Sequence, residues 1–229
     1  MTPEILADGT WFNHPAIQND LLSATTETLL MVSIATAVAI VFGGLLGVIL
    51  TATRNGGVLP SLAVNVVIDF VVNVGRSIPF VIFMFLLIPF ARFLVNTGTG
   101  WLGATVPLAV AAIPYFARLV ESNLDGVDHG KVEASQMMGA SRSRILAGVL
   151  VREALPALIQ SATILIITLI SYSAMAGLIG GGGLGSLAQT YGYYNNDWDV
   201  VIIIVVVIVA MVQIVQWVGN MLSRLVDHR

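Results

Sequence analysis

Three arrangements in the chain have the types and spacing of known chemistry, and each can be tested against what that chemistry needs. Gly180-x-Gly182-x-x-Gly185 has the glycine spacing of a dinucleotide-binding turn. Such a turn follows a strand, opens a helix and is completed by an acidic residue about 20 positions on. Here an uncharged apolar run precedes it, so the glycines are expected to serve tight turns and close packing. Lys131 follows Gly130, as in a phosphate-cradling loop, but Asp125 stands where the first glycine belongs and Val132 where the hydroxyl belongs. His14, His129 and His228 are scattered without paired spacing, and cysteine is absent, so no metal site, disulfide or thiolate nucleophile is expected. No Ser/His/Asp set or carboxylate pair shares one apolar segment. Enzyme activity is not expected of this chain, nor any cofactor held by it.

A few charged residues lie inside apolar stretches, where ionisable groups are costly and usually functional. Asp69 and Arg76 are seven apart, two turns along one helical face, and would pair if the helix continues that far; an interfacial anchor explains them equally well. Arg118 and Glu121 are three apart and are expected to form a structural pair. No carboxylate sits in mid-segment as a proton-coupled carrier would need.

The elements that carry these residues follow from charge spacing. Of 229 residues, 13 are acids and 10 are Lys or Arg, so 10% of the chain is charged, against about 25% in soluble domains. The runs 28–53, 93–117, 154–196 and 200–223 carry no charge at all, and a bilayer needs only about 20 apolar residues. A net charge of −3 with no run of bases does not suggest a nucleic-acid or acidic-substrate partner. Residues 1–20 lack bases and an apolar core and are expected to form a polar leader rather than a cleavable signal.

Basic residues locate the cytoplasmic side. Arg54, the 118–152 segment and the C-terminus hold eight of the ten bases, which places all three inside. An even number of crossings must then separate Arg54 from Lys131, so 58–95 supplies one span and not two. The expected fold is all-α and polytopic, with five spans at about 25–50, 78–95, 103–123, 155–177 and 200–222, N-terminus outside and C-terminus inside. Residues 58–75 form a lead-in helix, Ser77 caps the next helix with Pro79 in its first turn, and Pro89 bends it. Gly43-x-x-x-Gly47 has the small-residue spacing that lets membrane helices approach closely, although glycine is common in such helices in any case.

Between the third and fourth spans, 125–152 is polar. Residues 131–138 have helical composition, Gly139 sits at a C-terminal cap position, and Ser141 can cap a second helix that climbs into the membrane. The result is a cytoplasmic elbow presenting Val132, Met137 and Met138. On composition alone, an interfacial helix on a long loop is the simpler reading.

Glu133-Ala134-Ser135 with Gly139 four residues on resembles the EAA motif of ABC importer permeases, and Gly130 fits its lead-in. Arg76-Ser77-Ile78-Pro79-Phe80, the segment from Ile113 to Glu121, Glu153-Ala154-Leu155-Pro156, and Ser171-Tyr172-Ser173-Ala174-Met175 followed by the glycine run are similar to the permease subunits of D/L-methionine importers, in order over about 20–225. Two departures stand out: Arg152 occupies the place of the motif's late proline, and Asp128 that of an earlier one. The resemblance implies a type I ABC importer permease domain over 21–225 in the cell inner membrane. It implies a homodimer around the translocation route, two copies of a separate ATPase that carry ATP and Mg, an extracytoplasmic substrate-binding protein, and lipid. It assigns ATPase coupling to the 131–146 elbow through Glu133, Ala134, Met137, Met138, Gly139 and Arg142, with Glu133 ordering the first turn or pairing with an ATPase cation. Methionine as cargo would need a mostly apolar route with a few polar groups, for which Asn73, Ser77 and Met84, and Tyr172, Ser173 and Met175, are the candidates. A permease for another small amino acid or peptide, or a secondary carrier or channel not driven by ATP, are the alternatives.

Overall fold

The structure, a computed structural model, describes residues 13–227. Most of the expected leader, together with His228 and Arg229, lies outside the described residues. The described chain forms eight helices: α1 Ala16–Thr53, α2 Leu62–Ser77, α3 Phe80–Val95, α4 Gly100–Asp125, α5 His129–Met137, α6 Arg142–Gly177, α7 Gly183–Leu187, which runs on as a π-helical turn over Ala188–Tyr194, and α8 Trp198–Val226. Helices α1, α4, α6 and α8 are each long and apolar enough to cross a membrane, and α2 with α3 make a fifth crossing if they are taken as one broken span.

Several helix ends differ from the expected ones, for local reasons. Helix α1 begins at Ala16, inside the expected leader, with its first N–H donated to His14 Nδ1 at 3.2 Å. Hydropathy marks only the apolar part of a helix, and residues 16–20 (AIQND) extend it with polar side chains. The lead-in helix runs to Ser77, whose hydroxyl donates back to the Asn73 carbonyl at 2.7 Å; it therefore ends α2 and does not cap α3. The break falls at Ile78, whose extended backbone (φ −82°, ψ 123°) is the conformation a following proline imposes. Helix α3 runs through Pro89 without interruption. The elbow's second helix and the fourth span are one helix of 36 residues, relaxed by a π-helical turn at Leu146–Val151.

The described residues divide into two compact units. The first comprises the residues through Ala35, Phe80–Leu108 and Ile166–Val215. Its core joins Ala16 and Ala24 of α1 to Leu184 and Leu187 of α7 and to Val200 and Ile204 of α8. The second comprises Thr36–Pro79, Ala109–Leu165 and the residues from Gln216, with Leu50, Val72 and Ala117 buried together. Within this second unit, a Cβ on Gly43 would stand 2.6 Å from the Ile113 carbonyl oxygen, and one on Gly47 2.6 Å from both the Ala117 oxygen and Val120 Cβ. The small-residue pair is thus where α1 and α4 touch backbone to backbone. Helix α4 is buried over 67% of its most apolar stretch, against 17% for α8, so α8 leaves most of its apolar surface uncovered by the rest of the chain.

Candidate functional site

The polar segment 125–141 forms the expected elbow, and its caps can be read off the hydrogen bonds. The Asp128 carboxylate accepts the Gly130 N–H at 2.8 Å at the start of α5. The residue that departs from the resembled motif's proline therefore supplies a side-chain cap of its own. At the other end the Gly139 N–H donates to the Gln136 carbonyl (2.9 Å) and the Ala140 N–H to the Ser135 carbonyl (3.1 Å), the paired bonds of a Schellman cap. Gly139 has φ +77°, which a side chain would oppose. Ser141 then accepts the Arg144 N–H and opens α6.

No residue of α5 is buried. Met137 is 90% and Met138 80% exposed, and Glu133, Ala134, Gly139 and Arg142 are exposed as well. All six elbow candidates are therefore presented to the outside of this unit, on one turn and its flanks. Glu133 is the fifth residue of α5, past the first turn that Asp128 caps, and has no partner among the described residues. Spacing alone did not reveal a contact across the elbow: Lys131 Nζ pairs with Glu153 Oε2, just beyond the π-helical turn of α6.

The charged residues at membrane depth are arranged differently from the expected pairing. Asp69 does not pair with Arg76. The Arg118 guanidinium donates to Asp69 Oδ1 at 2.7 Å, to Asn73 Oδ1 at 2.8 Å and to Glu121 Oε2 at 2.6 Å, and Asn73 donates in turn to Asp69 Oδ2 at 2.9 Å. One cation thus ties α2 to α4 through two acceptors, Asp69 and Asn73, while Glu121 holds it from its own helix. The Arg118–Glu121 half was legible from the three-residue spacing; the Asp69 half spans 49 positions and was not. Arg54 pairs with Asp125 at the end of α4.

Of the pathway candidates, Asn73 and Ser77 lie exposed on α2 in the second unit. The other four lie in the first unit. Phe80 and Tyr172 stack with ring centroids 4.4 Å apart; Met84 is buried, and Ser173 is buried with its hydroxyl committed to the Ile170 carbonyl at 2.7 Å. Met175 is 40% exposed.

The glycine run packs against α1. Gly183 N–H donates to Glu27 Oε2 at 2.7 Å and Leu184 N–H to Thr28 Oγ1 at 3.0 Å, so side chains of α1 satisfy the free N–H groups that open α7. A Cβ on Gly182 would meet Glu27 Oε2 at 2.7 Å, and one on Gly183 would meet Thr28 Oγ1 at 2.6 Å. A pocket of about 270 Å³ opens beside this contact, lined among others by Asp20, Glu27, Ser186 and Tyr191. There the Tyr191 hydroxyl donates to Asp20 Oδ2 at 3.0 Å, which together with burial raises the phenol above its usual pKa.

The chain is 48% identical over 220 residues to a probable D-methionine transport system permease protein MetI of Vibrio cholerae, covering 96% of each chain. It is 44% identical over 210 residues to the methionine import system permease protein MetP of Bacillus subtilis, covering 92% of this chain and 95% of the relative. A chain from an inward-facing structure of the MetNI methionine ABC transporter superposes with a TM-score of 0.89 at 39% identity, covering 93% of this chain and 99% of that one. Residues 43–228 match the family described as the binding-protein-dependent transport system inner membrane component. With four to five membrane-length helices and a match over most of its length, the chain belongs to this family of multi-span inner membrane transport components.

Proposed function

We propose that the chain is the membrane-spanning permease subunit of an ATP-driven methionine importer. The observation that carries the reading is the elbow. A capped helix that buries nothing, with two adjacent methionines at its tip, is a surface shaped for a partner, and methionine side chains adapt to a partner that changes shape. The cargo follows from the relatives, which are methionine transport permeases.

In this reading two copies of the chain enclose the route, N-terminus outside and C-terminus inside. Two ATPase subunits, which carry ATP and Mg, each receive one elbow through Glu133, Ala134, Met137, Met138, Gly139 and Arg142. Nucleotide-driven closure of the ATPases moves the elbows and switches the spans between inward-open and outward-open states. An extracytoplasmic binding protein delivers the cargo, and Asn73, Ser77, Met84, Tyr172, Ser173 and Met175 are the proposed contacts along the route.

Reconstitution into proteoliposomes with and without the ATPase tests this. Uptake of labelled methionine that needs ATP, the ATPase and the binding protein is expected. Uptake driven by an ion gradient in the permease alone would instead make the chain a secondary carrier.

A further inference from the structure

A polar stripe runs along α2. Asn65, Asp69, Asn73 and Arg76 follow one another at spacings of four, four and three, one face of a helix, with Ser77 beside the last. The lower members are satisfied within the second unit. The Asn65 amide donates to the Leu50 carbonyl at 2.8 Å and to Thr53 Oγ1 at 3.2 Å, and Asp69 and Asn73 are held by Arg118. Arg76 is exposed and has no hydrogen-bond or ionic partner among the described residues.

Its depth follows from the packing of α2 on α4. Asp69 meets Arg118, Val72 is buried with Ala117, and a Cβ on Gly75 would lie 2.9 Å from Pro114. The two helices are therefore antiparallel, and Arg76 stands level with the middle of α4. Pro114 lies 11 residues from Asp125, about 16 Å along the helix at 1.5 Å per residue. Ionisable side chains at such depth almost always face a bundle interior or a water-filled cavity. The lipid-compatible flank of α2 is a different one, formed by Val67, Val71 and Val74, which are 63%, 58% and 44% exposed.

We propose that the upper part of this stripe, Asn73, Arg76 and Ser77, faces a water-filled cargo route within the membrane, and that Arg76 is the residue that takes the α-carboxylate of an amino-acid cargo. This rests on the import reading above and adds to it the group that recognises the zwitterion. Three features favour that role. The guanidinium is planar and forked, which suits two parallel bonds to a carboxylate. It is the member of the stripe left uncommitted, since Arg118 already holds Asp69 and Glu121. It sits at the end of α2, next to the extended Ile78, so a bound anion would not have to displace an existing ion pair.

The chain contains no cysteine, so single cysteines report directly on it. Ser77→Cys, Asn73→Cys, Val71→Cys and Val67→Cys are placed singly in the full complex in membranes and treated with a charged, water-soluble methanethiosulfonate, with and without ATP. Labelling of Ser77→Cys and Asn73→Cys, but not of Val71→Cys or Val67→Cys, is expected in at least one state. Methionine should slow labelling of Ser77→Cys several-fold, and methioninol, which lacks the carboxylate, should not. Arg76→Gln should abolish the protection and Arg76→Lys should retain part of it. A residue that only complements the helix C-terminus would alter thermal stability and leave protection intact. Inert stripe positions beside reactive flank positions would overturn the water-facing route, and protection that is absent, or unchanged in Arg76→Gln, would overturn the carboxylate role. Methionine uptake by the unsubstituted complex is measured in the same preparation. Uptake without protection counts against Arg76 alone, whereas no uptake counts against the import reading and this proposal together.

Discussion

Gly47→Ala compared with Gly44→Ala isolates the helix contact at the centre of the second unit. Both glycines lie in the same helical segment of α1, Gly44–Thr53, so the gain in helix propensity, roughly 0.5–1 kcal/mol for glycine to alanine, is common to both and cancels in the difference. The surroundings differ. A Cβ at Gly44 finds its nearest neighbour, Phe116 Cε1, at 3.9 Å, an ordinary contact. A Cβ at Gly47 lands 2.6 Å from the Ala117 carbonyl oxygen and from Val120 Cβ. Two of those obstacles are backbone or Cβ atoms that no rotamer change can move, so α1 and α4 must separate. Overpacking of this kind costs about 1–3 kcal/mol. For a chain of this length each kcal/mol moves the midpoint by about 2–4 °C, so Gly47→Ala should melt roughly 2–12 °C below Gly44→Ala. The assay is the fraction of permease that remains monodisperse after heating in detergent. Gly44→Ala should match or exceed the unsubstituted protein. If Gly47→Ala is as stable as Gly44→Ala, the close approach of α1 and α4 is refuted.

Two further outcomes concern the elbow. Glu133→Lys and Gly139→Glu should insert normally yet lose copurification with the ATPase; at Gly139 a side chain has open space but a backbone at φ +77° that disfavours it by about 1–2 kcal/mol, so the cap, not a clash, is what fails. Normal copurification and uptake with both variants would refute docking through this surface. Lys131→Glu and Glu153→Lys should each lower transport per ATP hydrolysed, and the two together should restore it in part; because the pair is partly exposed its contribution is small, about 1 kcal/mol or less, and two singles with no effect on coupling would show that the tether is dispensable.

The membrane helices and the elbow were legible in the sequence because their signals are local. Charge-free runs longer than a bilayer, Gly139 after a helical stretch and Ser141 before the next all act within a few residues of where they are read. Ser77 shows the limit of such reading: its hydroxyl suits a cap on the next helix, but with Ile78 fixed as extended before Pro79 it bonds backward to Asn73 and ends α2 instead. The Asp69 partner of Arg118 and the partners of Lys131 and Gly183 were not legible, because each depends on the register between separate helices. Asp69 lies 49 positions from Arg118, Glu153 lies 22 from Lys131 and Glu27 lies 156 from Gly183. A seven-residue spacing offered Asp69 a pair with Arg76 and an anchoring role equally well, and only the register of α2 on α4 gives that carboxylate to Arg118.

The Lys131–Glu153 pair also changes what the elbow is mechanically. Two struts, α5 and the start of α6, meet at an apex locked by the Schellman cap, and the ion pair ties them together across the open side. A braced triangle keeps its angles under load where an open bracket would fold at the corner. A push on Met137 and Met138 is then carried into α6 as displacement instead of being absorbed as bending at Gly139, with the ion pair adding to the packing of α5 against the start of α6.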